Sequence, residues 1–154
     1  MTELLNIVLV EPEIHPNTGN IARLCAATAT RLHLIEPLGF RVDDAAIKRA
    51  GLDYWPHVDL YKHVNLSSFE KTYQPASCWY FSSKASRSYT SVEYKWNDYL
   101  FFGSETSGLP SYLLQENWDR CLTIPMPAGK VRSLNLATSV SIVLYEALRQ
   151  LGKI

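Results

Sequence analysis

Paired cysteines, an excess of charge of either sign, long apolar runs and nucleotide-loop glycines are all missing from this chain of 154 residues. Each absence removes a class of protein. Cys25, Cys78 and Cys121 stand far apart with no C-x-x-C pair, which argues against a zinc knuckle or disulfide framework and suits a reducing compartment. Lys+Arg 15 against Asp+Glu 15 leaves no net charge, so a strongly basic coat for nucleic acid is excluded. Neither half hides one: residues 1–77 hold 7 basic and 9 acidic side chains, and residues 78–154 hold 8 and 6. A nucleic-acid site must then be a local patch or one assembled between chains. The apolar stretch Leu4–Val10 is broken by Asn6 and stops at Glu11-Pro12, too short for a bilayer span of ~20 residues and without signal-peptide anatomy. The expectation is a soluble, cytoplasmic protein with no membrane partner. G-x-G-x-x-G, G-x-x-x-x-G-K-[ST] and G-x-S-x-G are absent, removing Rossmann, Walker and α/β-hydrolase chemistry. His15, His33, His57 and His63 lack ligand or triad spacing, and no metal is expected.

What is present is an alternation of apolar runs with helical periods. Leu5–Val10 reads as a strand buried on both faces. Asn17 or Thr18 can cap a helix carrying Ile21, Leu24, Cys25 and Thr28 on one face. Leu32–Ile35 is a second strand, Asp43-Asp44 open a short helix through Arg49 that Gly51 can end, and Val58–Tyr61 is a weaker strand. A short helix over Ser67–Tyr73 follows, then strands at Cys78–Phe81 and Tyr99–Phe102, a helix over Ser111–Asn117, and a strand at Cys121–Ile124. Ser133 is expected to cap a final helix whose stripe is Leu136, Val140, Val143, Ala147 and Leu151. Strand–helix alternation with continuously apolar strands predicts an α/β fold, a mostly parallel sheet flanked by helices. No linker, repeat or low-complexity segment divides it, so residues 1–154 form a single domain. Trp55, Trp79, Trp96 and Trp118 are expected in core or interface rather than as base-stacking platforms.

Ligands of open α/β sheets bind beyond the carboxyl ends of the strands, which directs attention to three loops. They are Glu11–Arg23, Gly103–Pro110 and Pro125–Asn135. Each has a plain reading. Asn17-Thr18-Gly19-Asn20 serves as a cap and turn, Arg23 as a surface partner of Glu11 or Glu13, Gly103–Gly108 as a turn, and Ser133 as a cap. The two glycines also suit close approach of backbone to a ligand.

In their order along the chain these pieces are more telling. The run Asn17-Thr18-Gly19-Asn20-Ile21-Ala22-Arg23-Leu24-Cys25 is followed by Leu32–Phe40, Ala50-Gly51-Leu52-Asp53-Tyr54, Phe102-Gly103-Ser104-Glu105-Thr106 with Gly108-Leu109-Pro110, Ile124-Pro125-Met126, Ser133-Leu134-Asn135-Leu136 and Tyr145–Gly152. Over nearly its whole length the chain resembles the small SPOUT-class RNA 2′-O-ribose methyltransferases, and among them those acting on the wobble nucleotide of the tRNA anticodon.

That resemblance implies a carboxyl-terminal deep trefoil knot, one of the rare exceptions to unthreaded connections, and a homodimer with the last helix in its interface. It implies S-adenosyl-L-methionine as methyl donor, held by backbone around Phe81, Gly103, Ile124, Ser133 and Leu134, and tRNA as substrate. Arg23 is implied as the catalytic residue, orienting the ribose hydroxyl or steadying the adjacent phosphate; a guanidinium with a pKa above ~12 is a poor base. Asn17, Asn20, Glu105 and Asn135 would hold the loops in shape. Some positions depart from the family pattern: Ser107 stands for a usual Arg, Gly129–Arg132 is one residue longer, His15 replaces a frequent Pro, and Ala137 a Ser. Lys130 and Arg132 would then supply RNA phosphate contacts. A ribosomal RNA target, or a noncatalytic RNA-binding module of the same fold, are the alternative readings.

Overall fold

Asn6–Val10 sets the frame, because all five of its residues are buried and alternate residues face opposite ways. Ile7 and Leu9 pack into one apolar cluster, Val8 and Val10 into another. A strand covered on both faces needs helices on both sides of its sheet, and that is the architecture. The computed structural model describes residues 3–13, 15–40 and 55–154. The helix expected after Asp43-Asp44, Gly51 at its end, and the Ala50–Tyr54 motif lie outside the described residues.

The elements are β1 (Asn6–Val10), α1 (His15–Thr28), β2 (Arg31–Ile35), β3 (Asp59–His63), α2 (Leu66–Tyr73), β4 (Cys78–Phe81), β5 (Tyr99–Phe102), α3 (Ser111–Glu116), β6 (Cys121–Leu122) and α4 (Leu136–Gln150). The six strands form one parallel sheet in the order β3-β2-β1-β5-β4-β6. The expected fold class holds as a parallel α/β sheet flanked by helices. On one face, α1 contributes Ile21, Ala22 and Cys25, and α4 contributes Leu136, Val140, Val143, Leu144, Ala147 and Leu148. On the other, α2 contributes Leu66 and Phe69, and α3 contributes Leu113 and Leu114. Each Val, Leu, Ile or Phe among them is worth about 1.5–3 kcal/mol when fully buried.

Several local expectations need correction. Helix α1 starts at His15, so Asn17 and Thr18 lie inside its first turn rather than capping it. Asn135, not Ser133, caps α4, its side chain accepting from Thr138 N at 3.1 Å. Strand β6 stops at Leu122 because Thr123 turns to pair with the preceding loop: its N donates to Arg87 O (2.8 Å) and its O accepts from Tyr89 N (2.9 Å). The apolar stripe of α4 is taken up by the core of its own chain. Trp79 is buried and Trp55 and Trp96 pack against the core, but Trp118 is 51% exposed.

One polar group sits deep in the second cluster. His33 is fully buried on β2, ringed by Tyr61, Phe69, Tyr73 and Tyr99. Asn6 Nδ2 faces the carbonyls of Asn97 and Asp98, so its Oδ1 accepts from His33 Nε2 (3.2 Å). His33 Nδ1 is then an acceptor, filled by His63 Nε2 at 3.2 Å. Burial and the neighbouring His63 push the His33 pKa down to about 3. The ring is neutral and both of its nitrogens are satisfied.

Candidate active site

The strand order reverses between β1 and β5, and β4 lies between β5 and β6. Four parallel strands therefore present their carboxyl ends side by side, the position where open α/β sheets bind ligands. What happens there depends on how the loops leave.

After β1 the chain turns at Glu11, which takes a left-handed φ of 55°. Gly39, beyond β2, donates to Pro12 O at 3.0 Å. A Cβ at Gly39 would come within 2.8 Å of Glu13 Cα, so only glycine allows this approach. After β5 the chain folds back on itself: Gly108, at φ 68°, donates from its N to Ser104 O at 3.0 Å. A Cβ on Gly103 would overlap the backbone of Gly108 and Leu109. Both glycines of Gly103–Gly108 are thus demanded by the hairpin-like loop itself.

The two loops and the start of α4 are then tied together. Glu13 Oε1 accepts from Thr106 N (3.0 Å) and Thr106 Oγ1 (2.6 Å). In return, Glu13 N donates to Glu105 Oε1 (2.7 Å). The other oxygen of Glu105 accepts from Asn17 Nδ2 (3.1 Å), and Asn17 Oδ1 accepts from Asn135 Nδ2 (3.0 Å). The hydroxyl and amide of Thr106 hold the Glu13 carboxyl below its ordinary range. Sequence reasoning gave Glu13 only a surface role beside Arg23. Its pairing with Thr106, 93 positions away, has no local signal in the sequence.

Beside this clasp lies a cavity of about 510 Å³, inside the ~300–1,000 Å³ range of small-molecule sites. Its walls come from four segments and from Leu114 of α3: Phe81–Lys84 at the end of β4, Phe102–Leu109 at the end of β5, Thr123, Ile124 and Met126 after β6, and Arg132–Leu134 with Leu136 and Ser139 at the start of α4. Phe81 and Phe102 stack with centroids 4.8 Å apart at the strand ends. All five residues expected around the cofactor, Phe81, Gly103, Ile124, Ser133 and Leu134, line it, as do Glu105 and Arg132. Asn17 and Asn135 stand behind the wall in the clasp. Asn20 and Arg23 are exposed on α1, and Lys130 is exposed in the loop before α4; none of these three lines the cavity. The structure brings the five residues expected around the cofactor together within one chain and leaves Arg23 outside their cavity.

These loops at the ends of a parallel sheet, closed around a small-molecule cavity, fit a family model that matches residues 4–145: the chain belongs to the SpoU rRNA Methylase family. A tRNA (cytidine(34)-2'-O)-methyltransferase of Yersinia pestis is 50% identical over 155 residues, covering 97% of this chain and 95% of the relative. A solved structure described by the 2-OH methylation of C/U34 on tRNA superposes with a TM-score of 0.90, at 46% identity and 99% coverage of both chains. An AdoMet-bound rRNA methyltransferase from Sinorhizobium meliloti superposes at 0.80 with 26% identity, over 96% of this chain and 56% of that one. Among the described residues no group of three or more His, Cys, Asp or Glu could hold a metal, and no helix is long and apolar enough to cross a membrane.

Proposed function

We propose that this protein transfers a methyl group from S-adenosyl-L-methionine to the ribose 2′-hydroxyl of the wobble pyrimidine in a tRNA anticodon. The observation that carries the reading is the convergence of four separated segments on one cavity next to the Glu13–Asn135 clasp. The walls fit the donor: aromatic and aliphatic side chains flank a slot for a nucleoside, and main-chain groups beside Gly103, Ile124 and Leu134 offer the amides and carbonyls that an adenine edge and ribose require.

When bound, the donor supplies an electrophilic methyl carbon. The protein's part is to place a ribose hydroxyl in line with it and to let the proton go. Arg23 anchors the phosphate beside the target ribose and stabilises developing charge, while phosphate or solvent takes the proton. Because Arg23 lies outside the cavity of its own chain, the reading includes a homodimer in which Arg23 of one subunit serves the cavity of the other. The outer side of α4, with Tyr145 exposed at 43%, is available for that contact. Single-stranded anticodon nucleotides are the kind of splayed target that RNA-modifying sites take. The threaded carboxyl-terminal knot belongs to the same reading. Strand β6 is at the sheet edge, yet Asn135 reaches Asn17 behind β1, so residues 123–135 must travel back across the ends of β4 and β5.

The test is mass spectrometry of nucleosides after incubating purified protein, S-adenosyl-L-methionine and tRNA carrying a wobble pyrimidine. A 2′-O-methyl group at that nucleotide is expected, with Arg23→Ala keeping donor binding and losing at least about a hundredfold in rate. Methylation at another site, or only of ribosomal RNA, refutes the wobble assignment. Unchanged turnover of Arg23→Ala removes that residue from the mechanism.

A further inference from the structure

The cavity wall carries three charged side chains among the described residues: Lys84, Glu105 and Arg132. Glu105 is spoken for, since one oxygen accepts from Glu13 N and the other from Asn17 Nδ2. Lys84 and Arg132 make no ion pair among the described residues. An adenosine is neutral and needs neither cation. A sulfonium repels both. Two unpaired cations on the wall of such a slot call for an anion, and the donor brings one, the carboxylate of its amino-acid tail.

Both cations are exposed, but they are mounted differently. Lys84 lies three residues beyond the end of β4 in a turn fixed to the sheet: Ser82 N donates to Leu122 O (2.9 Å), Lys84 N to Ser82 Oγ (3.1 Å), and Ala85 N to Ser82 O (3.2 Å), with Ala85 buried. Arg132 stands in the exposed run 127–133 beside Lys130, where Gly129 N to Met126 O (3.1 Å) makes a turn. A cation on a fixed turn suits a small ligand whose position is set by the rest of the slot. Neighbouring cations on an exposed run suit a polyanion.

Resting on the function proposed above, we infer that Lys84 binds the carboxylate of the donor's amino-acid tail, a contact separate from the main-chain grip on its adenosine. The ammonium is a compact, mobile point charge and follows a carboxylate without demanding bidentate geometry.

Titration calorimetry with two probes tests this. S-adenosylhomocysteine has the tail, and 5′-methylthioadenosine has the nucleoside and sulfur without it. Lys84→Ala is expected to bind S-adenosylhomocysteine about tenfold more weakly, ~1.4 kcal/mol, and 5′-methylthioadenosine within about twofold of wild type. Lys84→Arg keeps the charge and is expected to recover most of the loss. Equal loss for both probes makes Lys84 a wall residue and overturns the inference. So does unchanged binding of both probes with weakened tRNA binding, which assigns the ammonium to RNA. Wild-type protein that binds neither probe overturns the proposed function itself. That outcome is read before any variant is compared.

Discussion

Glu13 shows how much one side chain can organise. Its carboxylate takes both donors of Thr106, and its amide donates to the adjacent Glu105, so two loops 92 to 93 residues apart are held by three hydrogen bonds. Removing the carboxylate leaves the Thr106 hydroxyl and amide to water and frees the wall segment Glu105–Ser107. Glu13→Ala is expected to weaken S-adenosylhomocysteine binding several-fold, because a slot built from main chain loses affinity when its main chain moves. Glu13→Gln keeps an acceptor oxygen toward Thr106 and should stay within about threefold of wild type. Calorimetry on the two variants checks the pair. Equal loss in both would mean that the charge rather than the acceptor matters. At this scale the sequence spoke only partly. Gly103 and Gly108 were legible as a loop permitting close approach, but what approaches Gly103 is its own chain at Gly108 and Leu109. That contact is a tertiary fact with no local pattern.

Among the elements, α4 does two jobs. Its apolar face closes the core, and its first residue boundary closes the site. The cap at Asn135 satisfies Thr138 N through Oδ1 and reaches Asn17 through Nδ2. Asn135→Ala should cost about 1–2 kcal/mol in chemical denaturation, the range of a lost helix cap. Asn135→Ser, which keeps a capping oxygen but cannot span to Asn17, should recover stability without restoring donor affinity. The strands are readable because β1 beyond Asn6 and the whole of β5 are apolar, as burial on both faces requires. The cap falls at Asn135 rather than Ser133 although both are good capping residues two positions apart, and only the path of the chain past Asn17 chooses between them. Strand β6 is two residues shorter than its pattern for a similar reason: Thr123 and Ile124 continue the β pattern, but Thr123 is already committed to Arg87 and Tyr89. Strand order had no signal in the residues at all.

For the whole molecule, the buried histidine sets an acid limit. Folded His33 titrates near 3 and unfolded histidine near 6.5. Below pH 6.5 the unfolded chain takes up a proton that the folded chain refuses, so stability is full above that pH and declines as pH falls toward 3. His63, also pushed down by burial, acts in the same direction. Urea unfolding between pH 7.5 and 5 should show a loss growing to about 1–2 kcal/mol before carboxylates begin to titrate. His33→Gln should flatten much of that slope; an unchanged slope would place the acid sensitivity elsewhere.

The bond between Asn17 and Asn135 spans 118 positions of the chain. While the protein is being made, a nascent polypeptide that has delivered every described strand still lacks one wall of its slot, because residues 132–139 follow β6. A chain interrupted before α4 is expected to leave that slot open on one side.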